Sequence, residues 1–423
     1  MKLFGYDVNI NKRSGNPENP GTSLADPASW LLDALGMKRT NAGVVVSEEG
    51  AMSLAAVYSC VKVLSEDVAG LPFVPFRRGD NDSREIAYES PVFDLLVHQP
   101  NPEMTPFTYH QTCMYSLALW GNFYAIIMRN VSGNPTKFTP VHPASVTPKI
   151  DAHGRLIYDI IGTTDGYIKT QTVMAYNMIH VKGLTTNGLL GNSVIRQQME
   201  TIGLGLAQNE FGAKFFSNGA NMNGALTVPG KMTDKMEKNI SNSWKNKWSG
   251  LDNAFKTPIL EQGMKYERIG IPPEEAQFIQ SRKYTRSEIS GMYRVPPHMI
   301  SDLEKSTFSN IEHQGIEYVV FSLRPYLVNI AQEYNRKLFI GSDRRKYYTE
   351  HNVNALMQGD ADARSKFYKS MFNMGTISIN EIRKRENLNS VDEGNNRYMQ
   401  MNMTTVENIN NPNSEENDNK EKK

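Results

Sequence analysis

The chain has 423 residues, with 46 Lys and Arg against 45 Asp and Glu, and two cysteines. At about 100 to 200 residues per domain this length calls for several packed regions rather than one core. The balanced charge excludes tight phosphate binding driven by counterion release, so a nucleic acid would be met without being gripped.

No stretch approaches the ~20 apolar residues that span a bilayer, and no apolar leader ends in a small-residue cleavage site. A soluble intracellular protein with no membrane partner is expected. Cys60 and Cys113 lie in apolar, helix-like surroundings without CxxC spacing, as reduced core thiols do. The stretch from Asn9 to Asp26 and the tail from Asn408 are polar and broken by prolines, and both read as disordered arms.

Along the chain, Ser47-Glu-Glu49 predicts a helix start, and Val57, Val61, Leu64 and Val68 give an amphipathic run stopped at Gly70. Phe73 to Arg77 and Ile86 to Tyr88 flank a Gly-Asp-Asn-Asp turn and predict a hairpin. A helix from Thr105, with Pro106 in its first turn, should end near Trp120 because Gly121 can take the left-handed cap. Phe123 to Asn130, Lys137 to Val141, Val146 to Ile150 and Leu156 to Ile161 read as strands. The first part is therefore an α+β unit.

Farther on, Ile195, Met199, Ile202 and Leu206 mark a helix from Val194 to Phe216. A small mixed insert follows: Gly224 to Pro229, a helical stretch near Met236 to Trp248, and Pro258 to Ile271. Pro273, Glu274 and Glu275 open another helix, which runs to about Tyr293 before Pro296-Pro297. Ile316, Val320, Leu323, Leu327, Ile330, Tyr334 and Leu338 then form the cleanest periodic stripe, with Pro325 inside it as an expected kink. Asp360 to Asn373 and Ile379 to Glu386 close a helical C-terminal region.

Chemistry-bearing motifs are few, and no catalytic residue, cofactor or metal is assigned. Gly224 to Met232 misfits a phosphate loop by one residue and has Met where the hydroxyl belongs. Gly191-Asn-Ser193 lacks the second glycine of a nucleophile elbow, and Ser59-Cys-Val-Lys62 stands without companion motifs. His98, His142 and His298 sit beside prolines without metal-ligand spacing, and Asp360 and Asp362 point apart on a helix. Arg344-Arg345-Lys346 with Tyr347 and Tyr348 reads as a solvated basic surface.

Several segments recur in an order that carries more than any one of them: Ala56-Val-Tyr-Ser-Cys-Val-Lys62 to Asp67-Val-Ala-Gly-Leu-Pro72, Gln99-Pro-Asn-Pro102, Trp120-Gly-Asn122, His180-Val-Lys182 and Gly188-Leu-Leu-Gly-Asn-Ser193. Phe215-Phe-Ser-Asn-Gly219, Leu260-Glu-Gln-Gly-Met264, Val295-Pro-Pro297, Ser309-Asn-Ile-Glu312 and Asn380-Glu-Ile-Arg383 continue it. Together, over roughly residues 47 to 400, they resemble the portal family of long-tailed, double-stranded DNA bacteriophages.

That resemblance implies a dodecameric ring at one capsid vertex, assembled in the host cytoplasm, through which duplex DNA is packaged and ejected. The implied plan is a flexible arm over 1–46, an α+β wing over 47–190, a first stem helix over 191–219, a clip over 220–272 and a second stem helix over 273–294. A tunnel loop (295–308), a long kinked wing helix (309–340), a helical crown (341–403) and a disordered tail (404–423) complete it. Channel and tunnel-loop candidates are Arg282, Lys283, Arg286, Asp302, Glu304, Lys305, Ser306 and Thr307. Implied partners are further copies of the chain, DNA held transiently, the terminase large subunit, a head–tail adaptor and the major capsid or scaffold protein. The alternatives are a structural capsid or adaptor subunit without a channel, or a nucleotide-driven packaging enzyme.

Overall fold

A computed structural model describes residues 39–79, 83–163, 167–217, 224–227, 233–248, 263–268, 275–301, 315–353, 361–386 and 388–398, with two short N-terminal strands. The chain is a mixture of helices and antiparallel sheets in two units, Met1–His351 and Asn352–Lys423. Within the described residues no helix is long and apolar enough to cross a membrane.

In chain order the strands are β1 (Lys2–Leu3), β2 (Tyr6–Asp7), β3 (Phe73–Arg78), β4 (Arg84–Ile86), β5 (Asn122–Arg129), β6 (Pro135–Val141) and β7 (Val146–Ile150). They continue with β8 (Leu156–Ile160), β9 (Gln171–Met174), β10 (Met178–Lys182), β11 (Gly224–Thr227), β12 (Lys265–Arg268) and β13 (Tyr347–His351). The helices are α1 (Glu48–Ala51), α2 (Ala55–Gly70), α3 (Pro91–Val97), α4 (Pro106–Trp120), α5 (Val194–Gln197), α6 (Met199–Ser217), α7 (Asp234–Trp248) and α8 (Glu275–Tyr293). After a π-helical turn at Tyr318–Leu323 come α9 (Arg324–Leu338), α10 (Asp343–Lys346), α11 (Ala361–Asn373) and α12 (Ile379–Arg385).

The core of the first unit forms where α2 packs on α4 and α4 lies against the sheet β10-β5-β6, with α9 lying on β10 and β13. Helix α4 forms where expected: the Thr105 hydroxyl accepts the Thr108 N–H, Pro106 occupies the first turn, and Gly121 closes the helix at φ 68°. Strand β5 follows at once, and its first six residues are all buried. Such a run of Phe, Tyr, Ala and Ile is what a strand covered on both faces requires. Phe73, Tyr109, His110, Phe123, Phe138, Tyr334 and His351 fill the centre, most of their ring pairs meeting edge to face.

Four sequence expectations are corrected. The helix expected from Ser47 is two helices, because Ser47 caps only α1 and the chain turns at Met52–Leu54 before α2. The helix expected over Val194 to Phe216 breaks at Gln198, at φ −113° and ψ 26°. The second hairpin strand lies at Arg84–Ile86, not Ile86–Tyr88, since Arg84 pairs with Arg78. Strand β13, unforeseen after the basic cluster, pairs with β3 from Tyr347↔Arg77 to His351↔Phe73.

The long stripe is corrected in its first turns. Leu323, Leu327, Ile330, Tyr334 and Leu338 are buried, but Ile316 and Val320 are exposed while Tyr318 and Ser322 face inward. A π turn holds one more residue than an α turn, so the face rotates ahead of it. Pro325, in the first turn of α9, lacks the N–H that would bond the Phe321 carbonyl; Arg294 approaches that carbonyl instead, at 3.5 Å. Leu323, wholly buried, should tolerate no charge: Leu323→Asp is expected to cost at least about 4 kcal/mol. A soluble variant with the parental melting temperature would refute this packing.

In the second unit Ser378 and Glu381 form a capping box on α12, and Asn380 bonds Val391 and Asn395 across the following loop. Asp360, named as a helix start, lies outside the described residues.

Candidate functional site

Helices α6 and α8 run antiparallel: Gly205 lies beside Thr285, Gln208 beside Ser281, and Phe211 and Gly212 beside Phe278. Each has 19 residues, so each is about 28 Å long at 1.5 Å per residue. Glycines allow the close approach, since a Cβ on Gly205 would stand 3.3 Å from the Thr285 methyl and 3.1 Å from Leu54. Polar rungs tie the pair. Gln208 Nε2 donates to Ser281 Oγ at 2.8 Å, Thr285 Oγ1 to Gln208 Oε1 at 3.3 Å, and Arg282 Nη2 to Asn209 Oδ1 at 3.1 Å. Between the two helices the chain forms the antiparallel pair β11–β12 and helix α7, whose residues 234–239 and 241–243 are exposed.

The foot of α8 is a second fixed point. The Arg294 N–H bonds the Gly291 carbonyl and the Val295 N–H the Ser290 carbonyl, a Schellman turn with a non-glycine, Arg294, at φ 55°. Ser322 Oγ donates to the Arg294 carbonyl and Ser290 Oγ to the Val295 carbonyl. These bonds tie the end of α8 to the π turn. The 3-10 turn Pro297–Ile300 then ends at Ser301, also left-handed at φ 63°.

The head of α6 is held by a buried polar junction. Asn122 Oδ1 accepts from the Gly191 N–H at 2.7 Å and from His180 Nε2 at 3.0 Å, while its Nδ2 donates to the Trp120 and Gly191 carbonyls. With Nε2 the donor, His180 Nδ1 accepts the Tyr158 hydroxyl proton at 3.1 Å. Burial, reinforced by Lys182, Lys337 and Arg336, drives the His180 pKa down to about 2, so the ring is neutral. Ser193 Oγ donates to the Leu119 carbonyl at 2.7 Å and accepts the Arg196 N–H, which starts α5 and aims the chain into α6. Backbones touch here: the Gly183 N–H reaches the Gly121 carbonyl at 2.7 Å, and a Cβ on Gly191 would fall 2.0 Å from that oxygen.

Helix α9 braces the same junction. Glu333, buried, accepts the His180 N–H at 3.2 Å and the Arg336 guanidinium at 2.7 Å, with Lys337 at 3.8 Å. Lys337 donates to the Ala175 carbonyl, and burial lowers its pKa to about 8. No group of three His, Cys, Asp or Glu side chains able to hold a metal converges among the described residues.

A family model described as phage portal protein matches residues 55–387. The chain belongs to the phage portal protein family. It is 29% identical over 347 residues to the portal protein of Enterobacteria phage HK97, covering 81% of this chain and 80% of that one. It is also 29% identical over 384 residues to the probable portal protein of Streptomyces phage phiC31, covering 87% and 81%. Its fold is similar to an HK97-family portal protein from Corynebacterium diphtheriae, at TM-score 0.55 and 16% identity over 75% of this chain and 99% of that one. A chain from the neck of a native gene transfer agent particle, computed with C12 symmetry, matches at TM-score 0.52 and 16% identity over 81% and 94%.

Of the residues the portal resemblance singles out, Arg282 and Lys283 are exposed on α8, and Arg282 also lies 6.0 Å from the Phe278 ring. Arg286 turns inward, donating to the Ile300 carbonyl near buried Cys60, whose thiol burial pushes up to about 12. Asp302, Glu304, Lys305, Ser306 and Thr307 lie outside the described residues. The portal motifs Trp120-Gly-Asn122, His180-Val-Lys182 and Gly188 to Ser193 are brought together at one junction. Arg294, Glu333 and Lys337 were not foreseen. A left-handed arginine has no local signature, whereas a glutamate on the apolar stripe side of a helix could have drawn attention.

Proposed function

We propose that this portal-family chain is the subunit of a ring, closed by twelve copies, that serves as a conduit for double-stranded DNA at a capsid vertex. The antiparallel pair α6 and α8, with the β11–β12 pair in the chain between them, carries this reading, because it supplies a rod-like stem and the insert that would form its clip. The C12 neck to which the fold is similar supports the same count for this chain. One contact repeated with a closing rotation generates such a ring without a catalytic site.

Twelve rods about 10 Å across would enclose a bore on the order of 28 Å, wide enough for a duplex. A chain with 46 basic and 45 acidic residues offers the duplex no net basic excess, so the duplex slides rather than binds. On this reading residues 47–190 with the long helix are the wing and the segment after Val295 is the tunnel loop. Residues 341–403 are the crown, and the clip faces the terminase large subunit and later the head–tail adaptor.

Mass photometry tests it. The expected species has twelve times the 47.7 kDa chain mass and hydrolyses ATP no faster than a blank. A monomer with ATPase activity would replace this reading with a packaging motor.

A further inference from the structure

The loop between β10 and α5 combines a rigid frame with an apolar surface. The Thr185 hydroxyl donates to the Leu190 carbonyl at 2.6 Å and accepts the Gly188 N–H at 3.0 Å. Asn187 Oδ1 accepts the Leu189 and Leu190 N–H groups, Lys182 Nζ donates to the Gly188 carbonyl at 2.8 Å, and the Asn192 N–H reaches the Leu184 carbonyl at 2.7 Å. With these polar groups turned onto the loop itself, three leucines are left outward: Leu184 is 81% exposed, Leu189 41% and Leu190 44%. Loops that face water are ordinarily polar, and a fixed apolar cluster is what an interface anchor looks like before it docks.

We propose that residues 183–191 form an apolar anchor that seats in the cleft between α2, α6 and α8 of a second copy of this chain. This rests on the ring reading above. Gly183 to Gly191 contains no charged residue, and the one cation bonded to it, Lys182, is already held on the Gly188 carbonyl, so the three leucines can be desolvated without stranding a charge of their own. The cleft, about 410 Å³, is floored by Leu54, Ala55, Ala56, Ile279, Ile289 and Ile300 and has no carboxylate in its lining. Two of its cations are already engaged within the chain, Arg282 with Asn209 and Arg286 with Ile300, so it does not demand an acidic occupant. A heterologous ring joins two different surfaces of each copy, and the loop and the cleft share no residue.

The test replaces Leu184, Leu189 and Leu190 together by Asp in the full chain and follows assembly by mass photometry. Because these side chains are exposed, the monomer should keep the parental urea midpoint while the ring fraction falls at least tenfold. Ile279→Asp, in the cleft, should do the same, and Leu189→Cys with Ile279→Cys should give a disulfide ladder of oligomers on a non-reducing gel. Rings at the parental level in the triple variant would overturn the anchor. Loss of binding to phosphatidylglycerol vesicles with rings intact would mean that the loop meets a lipid surface instead. Lost rings without a ladder would overturn the assigned recess. Were the parent itself monomeric at every concentration, the ring reading would fall, and the anchor with it.

Discussion

Gly121→Ala is expected to leave little folded protein. Gly121 closes α4 at φ 68°, and a Cβ there would stand 2.0 Å from the Asn192 carbonyl oxygen and 2.6 Å from its carbon. Neither atom can give way, because Asn192 is anchored through Leu184 and the neighbouring Ser193 through Leu119. The left-handed backbone alone costs about 1 kcal/mol, and forcing two backbones apart adds on the order of 3 kcal/mol or more. Gly191→Ala should behave alike, since its Cβ would meet the Gly121 carbonyl oxygen at 2.0 Å. Gly133→Ala and Gly154→Ala separate the two causes: both sites are left-handed, at φ 82° and 74°, with nothing within 4 Å of the added carbon. Urea titration should show a small loss for these and a large one for the junction glycines. Equal losses at all four sites would mean that the close approach carries no energy.

The junction shows how far the sequence could be read. The caps of α4 were legible because Thr105, Pro106 and Gly121 act on their own turn of backbone. Trp120-Gly-Asn122 and Gly188 to Ser193 were legible as motifs, but not their reason: the glycines are set by contact between backbones about 70 residues apart, with a separation of 69 for Asn122 and Gly191. Strand β13 was hidden for the same cause. Tyr347 to His351 has only five residues, follows a basic cluster, and is ordered by β3, across a sheet that also carries the Arg84–Glu350 ion pair.

The rotated stripe before Leu323 has a different origin. Periodicity assumes a constant turn, and the π turn at Tyr318–Leu323 changes the turn itself. The histidines beside prolines, His98, His142 and His298, stand out in the sequence, whereas among the described residues His110, His180 and His351 are the buried ones, placed by strands and helices distant in sequence.

Those three buried histidines make acid the second large perturbation expected. Burial lowers the His110 pKa to about 4 and that of His180 to about 2, and holds His351, stacked 4.1 Å from Phe73, well below the usual value. His110 Nδ1 has no hydrogen-bond partner, so a proton placed there would find no acceptor. In the unfolded chain each ring takes a proton near pH 6.5. Between that value and the folded pKa the unfolded state therefore binds more protons, and stability falls as pH falls. Each histidine contributes about 1.4 kcal/mol per pH unit over that window, so a drop to pH 5 removes on the order of 4 kcal/mol for His110 and His180, and His351 adds to the loss in the same direction. Asp67, whose carboxyl burial raises, acts in the opposite sense on acidification, and Lys337, lowered to about 8, titrates outside the window. The urea midpoint should thus decline steeply between pH 7.5 and pH 5. His351→Phe, which keeps a ring against Phe73 but cannot take a proton, should show a shallower decline over the same interval. A midpoint constant across that range would show that these rings are not held neutral by the fold.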